Sequence, residues 1–181
     1  MLGNGRAGAD TAPGRWLRIE SQNFIVLSSV NEADTREEIA ALEVFHALLK
    51  RVVPSSSGNP PKLPVYFAGK ERDFEMSAPQ MRSDVAGFYD AGIEEIRAVT
   101  SAAKGRQRQR DVESTERAFD ARLILFHEYT HHYMLANNQS AFPAWYVEGF
   151  AEYLSTADFS AKGASVGKFT PNRASWLANG N

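Results

Sequence analysis

Five residues, His127-Glu128-Tyr129-Thr130-His131, constrain this chain more than any other feature, because they set two imidazoles and a carboxylate on one stretch of helix. At 3.6 residues per turn His127 and His131 lie about 40° apart, so both rings can reach one metal ion. Glu128 points about 100° away from His127, toward the rim of such a site. There it is placed to take a proton from activated water and not to bind the ion. The residues just before the pattern, Leu123-Ile124-Leu125-Phe126, make the helix apolar on nearly every side. Such a helix is buried, and polar groups carried into a core need partners. A metal ion would supply them.

Two histidines rarely suffice at a catalytic zinc site, which usually takes three protein ligands and keeps one position for water. The segment Ala144-Trp145-Tyr146-Val147-Glu148-Gly149-Phe150-Ala151-Glu152-Tyr153 offers the third. Glu148 and Glu152 are four residues apart on what reads as a second helix, so their carboxylates face the same way. One can bind the ion while the other accepts a hydrogen bond from the free ring nitrogen of a ligand histidine. Between the two helices, residues 137–143 contain Asn residues suited to end a helix and Pro143 suited to start the next. Two antiparallel helices are predicted, presenting their ligands to a shared space.

His127-Glu128-x-x-His131 followed by Trp145-x-x-Glu148-Gly149-x-Ala151 resembles the gluzincin metallopeptidases, the group of thermolysin and aminopeptidase N. Residues 143–153 are most similar to a branch of little-studied bacterial gluzincin-like proteins, often joined to tetratricopeptide repeats. The resemblance covers roughly residues 120–156 and is loose elsewhere. It implies one zinc ion per chain held by His127, His131 and Glu148, with Glu128 as general base and Glu152 holding a ligand histidine, His127 first of all. Gly149, beside Glu148, is expected to let a neighbouring backbone come close. Thermolysin-type enzymes steady the oxyanion with a later histidine, and this chain has none after His132. That task would fall to a tyrosine among Tyr129, Tyr133, Tyr146 and Tyr153, to Arg173, or to a segment beyond the chain. By the same resemblance, a further domain such as tetratricopeptide repeats is expected after residue 181, and an exported or periplasmic protein whose signal has been removed is favoured.

Composition narrows the alternatives. A chain of 181 residues with 43% hydrophobic and 23% charged residues has the makings of one globular domain, read here as residues 15–181 behind a flexible Gly/Ala-rich segment 1–14. A net charge of −2 recruits neither nucleic acid nor an acidic membrane. The absence of cysteine removes disulfides, thiol catalysis and thiolate zinc sites together. No stretch approaches the ~18 apolar residues of a membrane span. The basic run Lys104 to Arg110 reads as a solvated loop.

Apolar patterns predict an α+β fold, and the resemblance implies that it is zincin-like: a small twisted mixed sheet packed on the helix of the His-Glu-x-x-His pattern, with the glutamate-bearing helix beside it. Strands are expected over Trp16–Glu20, Asn23–Ser28, Lys62–Ala68, Gly87–Tyr89, Ile93–Ser101 and Val166–Phe169. Helices are expected from an Asn31 cap to about Arg51, from about Ser114 to Ala136, and over the glutamate segment to about Ala157, with a loop at Pro54–Pro61 and an irregular tail from Pro171. His46 reads as an ordinary helix residue and His132 as a packing residue. The function the resemblance implies is peptide-bond hydrolysis on a peptide or protein substrate by Glu-activated water at zinc. The alternative is a non-catalytic zinc-binding or scaffold domain within a larger repeat-containing protein.

Overall fold

Short runs of alternating apolar residues build a sheet, and two apolar helix faces cover it. The computed structural model describes residues 16–53, 62–69, 72–73, 87–90, 95–99, 121–137 and 142–168. In chain order the elements are β1 (Leu17–Glu20), β2 (Phe24–Ser28), α1 (Glu32–Val52), β3 (Leu63–Ala68), β4 (Gly87–Asp90), β5 (Glu95–Val99), α2 (Ala121–Asn137), α3 (Ala144–Ser155), β6 (Asp158–Ser160) and β7 (Gly163–Ser165). The fold is α+β. The expected segment 1–14, the loop 54–61, the basic run 104–110, the start of the expected second helix at 114–120 and the tail 171–181 with Arg173 lie outside the described residues. No helix among the described residues is long and apolar enough to cross a membrane.

Five strands form one mixed sheet in the order β1-β2-β3-β5-β4. The outer pairs β1/β2 and β4/β5 are antiparallel, and the inner pairs β2/β3 and β3/β5 are parallel. A parallel pair cannot be joined by a tight turn, and α1 supplies the crossover between β2 and β3. The register aligns Val26, Val65 and Ile96 in one row, flanked by the pairs Phe24 with Leu63 and Ser28 with Phe67. All seven are buried.

Helix α1 begins where Asn31 Oδ1 accepts a hydrogen bond from the Asp34 backbone N–H at 3.0 Å, the side-chain cap expected of Asn. Glu32 and Asp34 stand in its first turn and Lys50 and Arg51 in its last, both favourable with the helix dipole. Thr35, Ile39, Leu42, Phe45 and Leu49 recur at three- and four-residue spacing and are buried. Thr35 Oγ1 meets Ser28 Oγ at 2.8 Å, so two hydroxyls under this helix satisfy each other.

Helix α2 lies against α1, β4 and β5. Phe126 stacks on Phe45 with ring centroids 4.1 Å apart and planes 3° from parallel, and Tyr129 meets Phe24 edge-on at 5.0 Å. At the N-terminal end of α2, Arg122 reaches Glu37 and Glu38 of α1 at 2.8 to 3.0 Å. His46 is more than an ordinary helix residue: its Nδ1 is 2.6 Å from the Tyr129 hydroxyl. Burial, reinforced by Tyr133 and Glu43, pushes the Tyr129 phenol far above its usual range. The phenol therefore stays protonated, and it shares one hydrogen bond with His46 Nδ1.

One strand lies elsewhere than expected. Residues 166–168 of the predicted strand Val166–Phe169 are not extended in a ladder, whereas Asp158–Ser160 and Gly163–Ser165 form a small hairpin. The break has a local cause. Gly167 has φ +78°, in the left-handed region, and the Tyr153 ring fills the space a side chain there would need.

Burial is the largest influence on His46, lowering its pKa from 6.5, with Lys50 adding to it and Glu43 opposing. A basic group with a depressed folded-state pKa binds protons more readily when unfolded. Its contribution is then full above the unfolded value and is lost as pH falls below it. Replacing His46 by Leu should cost about 1–3 kcal/mol at pH 7.5 by stranding the Tyr129 hydroxyl. In urea denaturation the gap between wild type and His46→Leu should narrow at pH 5.5. An equal gap at both pH values would contradict a neutral His46.

Candidate metal centre

Helix α2 turns Phe126 and Tyr129 into the core, and the 100° step per residue swings His127 and His131 onto another face. Helix α3 packs along that face. Its first turn is set by Pro143, whose carbonyl accepts from the backbone N–H groups of Tyr146 and Val147 at 2.9 and 3.2 Å. Ala151, Leu154 and Ser155 form its buried side. The earlier histidine lies near the later glutamate and the later histidine near the earlier glutamate, the pairing of antiparallel helices.

Three donor atoms converge. His127 Nε2 and His131 Nε2 are 3.0 Å apart, and Glu148 Oε2 lies 3.4 Å from the first and 3.5 Å from the second. Among the described residues this is the one group of three potential ligands that meets. The separations fit a zinc ion. Bonds of about 2.0–2.1 Å at tetrahedral angles put ligand atoms roughly 3.3 Å apart, and a circle through these three atoms has a radius of about 1.9 Å. One ion can therefore reach all three. The chemistry of the set, two imidazoles and a carboxylate, also suits zinc.

Electrostatics support the same use. Burial, then the neighbouring His127, lowers the His131 pKa, while Glu148 opposes the shift. A lowered pKa favours the neutral imidazole, the form whose lone pair can bind a cation. Both histidine side chains are only 13 to 14% exposed, whereas Glu148 is 65% exposed, so the site is closed on the α2 side and open on the α3 side. Glu152 Oε2 sits 3.6 Å from His127 Nδ1, the ring nitrogen turned away from His131 and Glu148. The separation is longer than a hydrogen bond, but the pairing gives the two glutamates different nitrogens of His127. Glu128 is half-buried on the next helical position.

The remaining residues of the pattern serve the fold. Thr130 is fully buried, and its hydroxyl donates to the Phe126 carbonyl at 2.8 Å. His132 is buried and stacks on Tyr129. Tyr129 and Tyr133 leave the set of oxyanion candidates, because both are buried and their hydroxyls are directed at His46 and at the Val53 carbonyl. Tyr146 and Tyr153 on α3 are exposed. The expected close approach at Gly149 is not found: a Cβ there would meet no described atom within 4 Å. His46 is the contact that pattern reading passes over. Its position, four residues after Leu42 and three before Leu49 on the buried stripe of α1, is the available signal.

Neither a protein-family model nor a curated protein sequence matches the chain. The site therefore stands on its own residues and their geometry.

We expect purified protein to bind about one zinc ion per chain and His127→Ala or His131→Ala to lose it, read by elemental analysis. In chelator competition, Glu148→Gln should weaken zinc more than Glu152→Gln, whose loss should be about 10- to 100-fold. The reverse order would exchange the roles of the two glutamates.

Proposed function

We propose that this chain is a zinc-dependent metallopeptidase of zincin-like fold, with His127, His131 and Glu148 as ligands and Glu128 as general base. The observation that carries the reading is the convergence of two imidazole nitrogens and a carboxylate oxygen at 3.0, 3.4 and 3.5 Å on a face open to solvent. A purely structural zinc site is usually closed by four protein ligands. Three converging ligands and an exposed side leave room for water and substrate.

Zinc bound there would supply a Lewis acid for the scissile carbonyl and make water acidic enough to attack at neutral pH. The chain does the rest. Glu128, one position round the helix from His127, takes the proton of the attacking water and passes it to the leaving amine. Glu152, 3.6 Å from His127 Nδ1, would orient that ring once the separation closes to a hydrogen bond. Strand β4 is one of the two edge strands of the sheet among the described residues, and it lies against α2. An extended polypeptide added beside β4 as a further strand would bring one carbonyl toward α2.

Replacing Glu128 by Gln preserves shape and removes the proton acceptor. Zinc content should stay at one per chain, while hydrolysis of unfolded polypeptide falls by about 100-fold or more. Chelation should abolish activity and added zinc restore it. Activity of Glu128→Gln within about threefold of wild type would remove this residue from the reaction.

A further inference from the structure

One hydrogen bond from outside the candidate metal centre ends on the helix that carries the two histidines. Tyr129 stands between His127 and His131, two residues from each. At 3.6 residues per turn it points about 160° away from both, behind the pair. Tyr129 is 3% exposed. Its ring lies edge-on to Phe24 at 5.0 Å and to Phe45 at 6.3 Å, and His132 stacks on it at 5.9 Å. Such apolar packing fills space without fixing a direction. The hydroxyl at the tip of the side chain meets His46 Nδ1 at 2.6 Å, and a hydrogen bond is directional.

His46 is itself held. Its ring meets Phe24 edge-on at 6.4 Å and Tyr133 edge-on at 5.8 Å. One turn earlier on α1, Glu43 Oε1 accepts from the Asn23 backbone N–H at 2.9 Å, and Glu43 Oε2 accepts from the Asn23 side chain. Asn23 immediately precedes β2, so this part of α1 is tied to the sheet. The bond to Tyr129 therefore holds α2 from the side opposite the ligands, and that hold reaches back to the sheet.

The geometry of the donor set makes the roll of α2 matter. A roll of roughly 10° moves a side-chain atom, about 5–6 Å from the helix axis, by about 1 Å. A metal site tolerates departures of about 0.2 Å from its bond lengths. In such a roll His127 and His131 move together while Glu148, on α3, stays behind, so the misfit falls between the imidazole pair and the carboxylate. Glu148 Oε2 now lies 3.4 and 3.5 Å from the two ring nitrogens. We propose that His46 is a positioning residue of the metal centre: through the Tyr129 hydroxyl it sets the roll of α2, and so the alignment of His127 and His131 with Glu148. The assignment rests on the metal-site part of the reading above and not on the reaction.

The test is zinc affinity by chelator competition on the full chain, with circular dichroism establishing that each variant is folded. Tyr129→Phe removes one oxygen and His46→Leu removes its partner. Each should weaken zinc by about tenfold, the lower end of the loss for an outer contact to a metal ligand. The double variant should be no weaker than either alone, because both substitutions remove the same bond. His46→Asn puts an amide where Nδ1 stood, able to donate or accept, and should return affinity to within about threefold of wild type. Ile39→Val opens a gap on the same buried stripe of α1; it should lower the thermal midpoint and leave zinc affinity within about twofold. Glu148→Gln should cost less in the His46→Leu background than in wild type, and its full amount in the Ile39→Val background. Tyr129→Phe keeps the ring and its packing, so it decides the matter if His46→Leu fails to fold. Zinc affinity of Tyr129→Phe within about twofold of wild type, or a loss in Ile39→Val as large as in Tyr129→Phe, overturns the assignment and leaves the metal site standing. A wild type that binds no zinc overturns the site and the assignment together.

Discussion

The stacking of Phe126 on Phe45 sets the rotation of helix α2, and the candidate site depends on that rotation. With Phe126 fixed between α1 and the rest of the core, the next residue must turn about 100° away. That residue is His127. Tyr129 adds a second constraint from inside the pattern, since its ring packs on Phe24 and its hydroxyl is held by His46. A helix pinned by two aromatic residues and a buried hydrogen bond has little freedom to roll. Packing therefore sets the direction in which the two histidines leave the helix.

The donors His127 Nε2, His131 Nε2 and Glu148 Oε2 lie 3.0 to 3.5 Å apart in a half-buried site. A divalent cation there would give all three atoms one positive partner. Glu152 stands 3.6 Å from the other ring nitrogen of His127.

Much of this was legible in the sequence because it follows from helical periodicity. Four-residue spacing brings His127 to His131 and Glu148 to Glu152, and the Asn31 cap and the buried stripe of α1 follow from local rules. The order of the strands was not legible. The apolar run Phe24 to Leu27 marks a buried strand, but only tertiary packing decides that β3 lies between β2 and β5. The hairpin of β6 and β7 was hidden for a different reason: its strands have three residues each and no buried position, so they carry no apolar signal. His46 was misjudged because a histidine on an apolar face has no visible partner until Tyr129 arrives from 83 residues away. At Gly149 the expected close backbone contact is absent among the described residues.

The most direct test of the central claim is X-ray absorption at the zinc K-edge on the zinc-loaded protein. The geometry requires a first shell of two imidazole nitrogens and oxygen ligands at about 2.0–2.1 Å in four-coordinate zinc. The multiple scattering of two imidazole rings should be evident. A shell of oxygen alone, or one with a single imidazole, would mean that His127 and His131 do not bind the ion together, and the account of this site would fail.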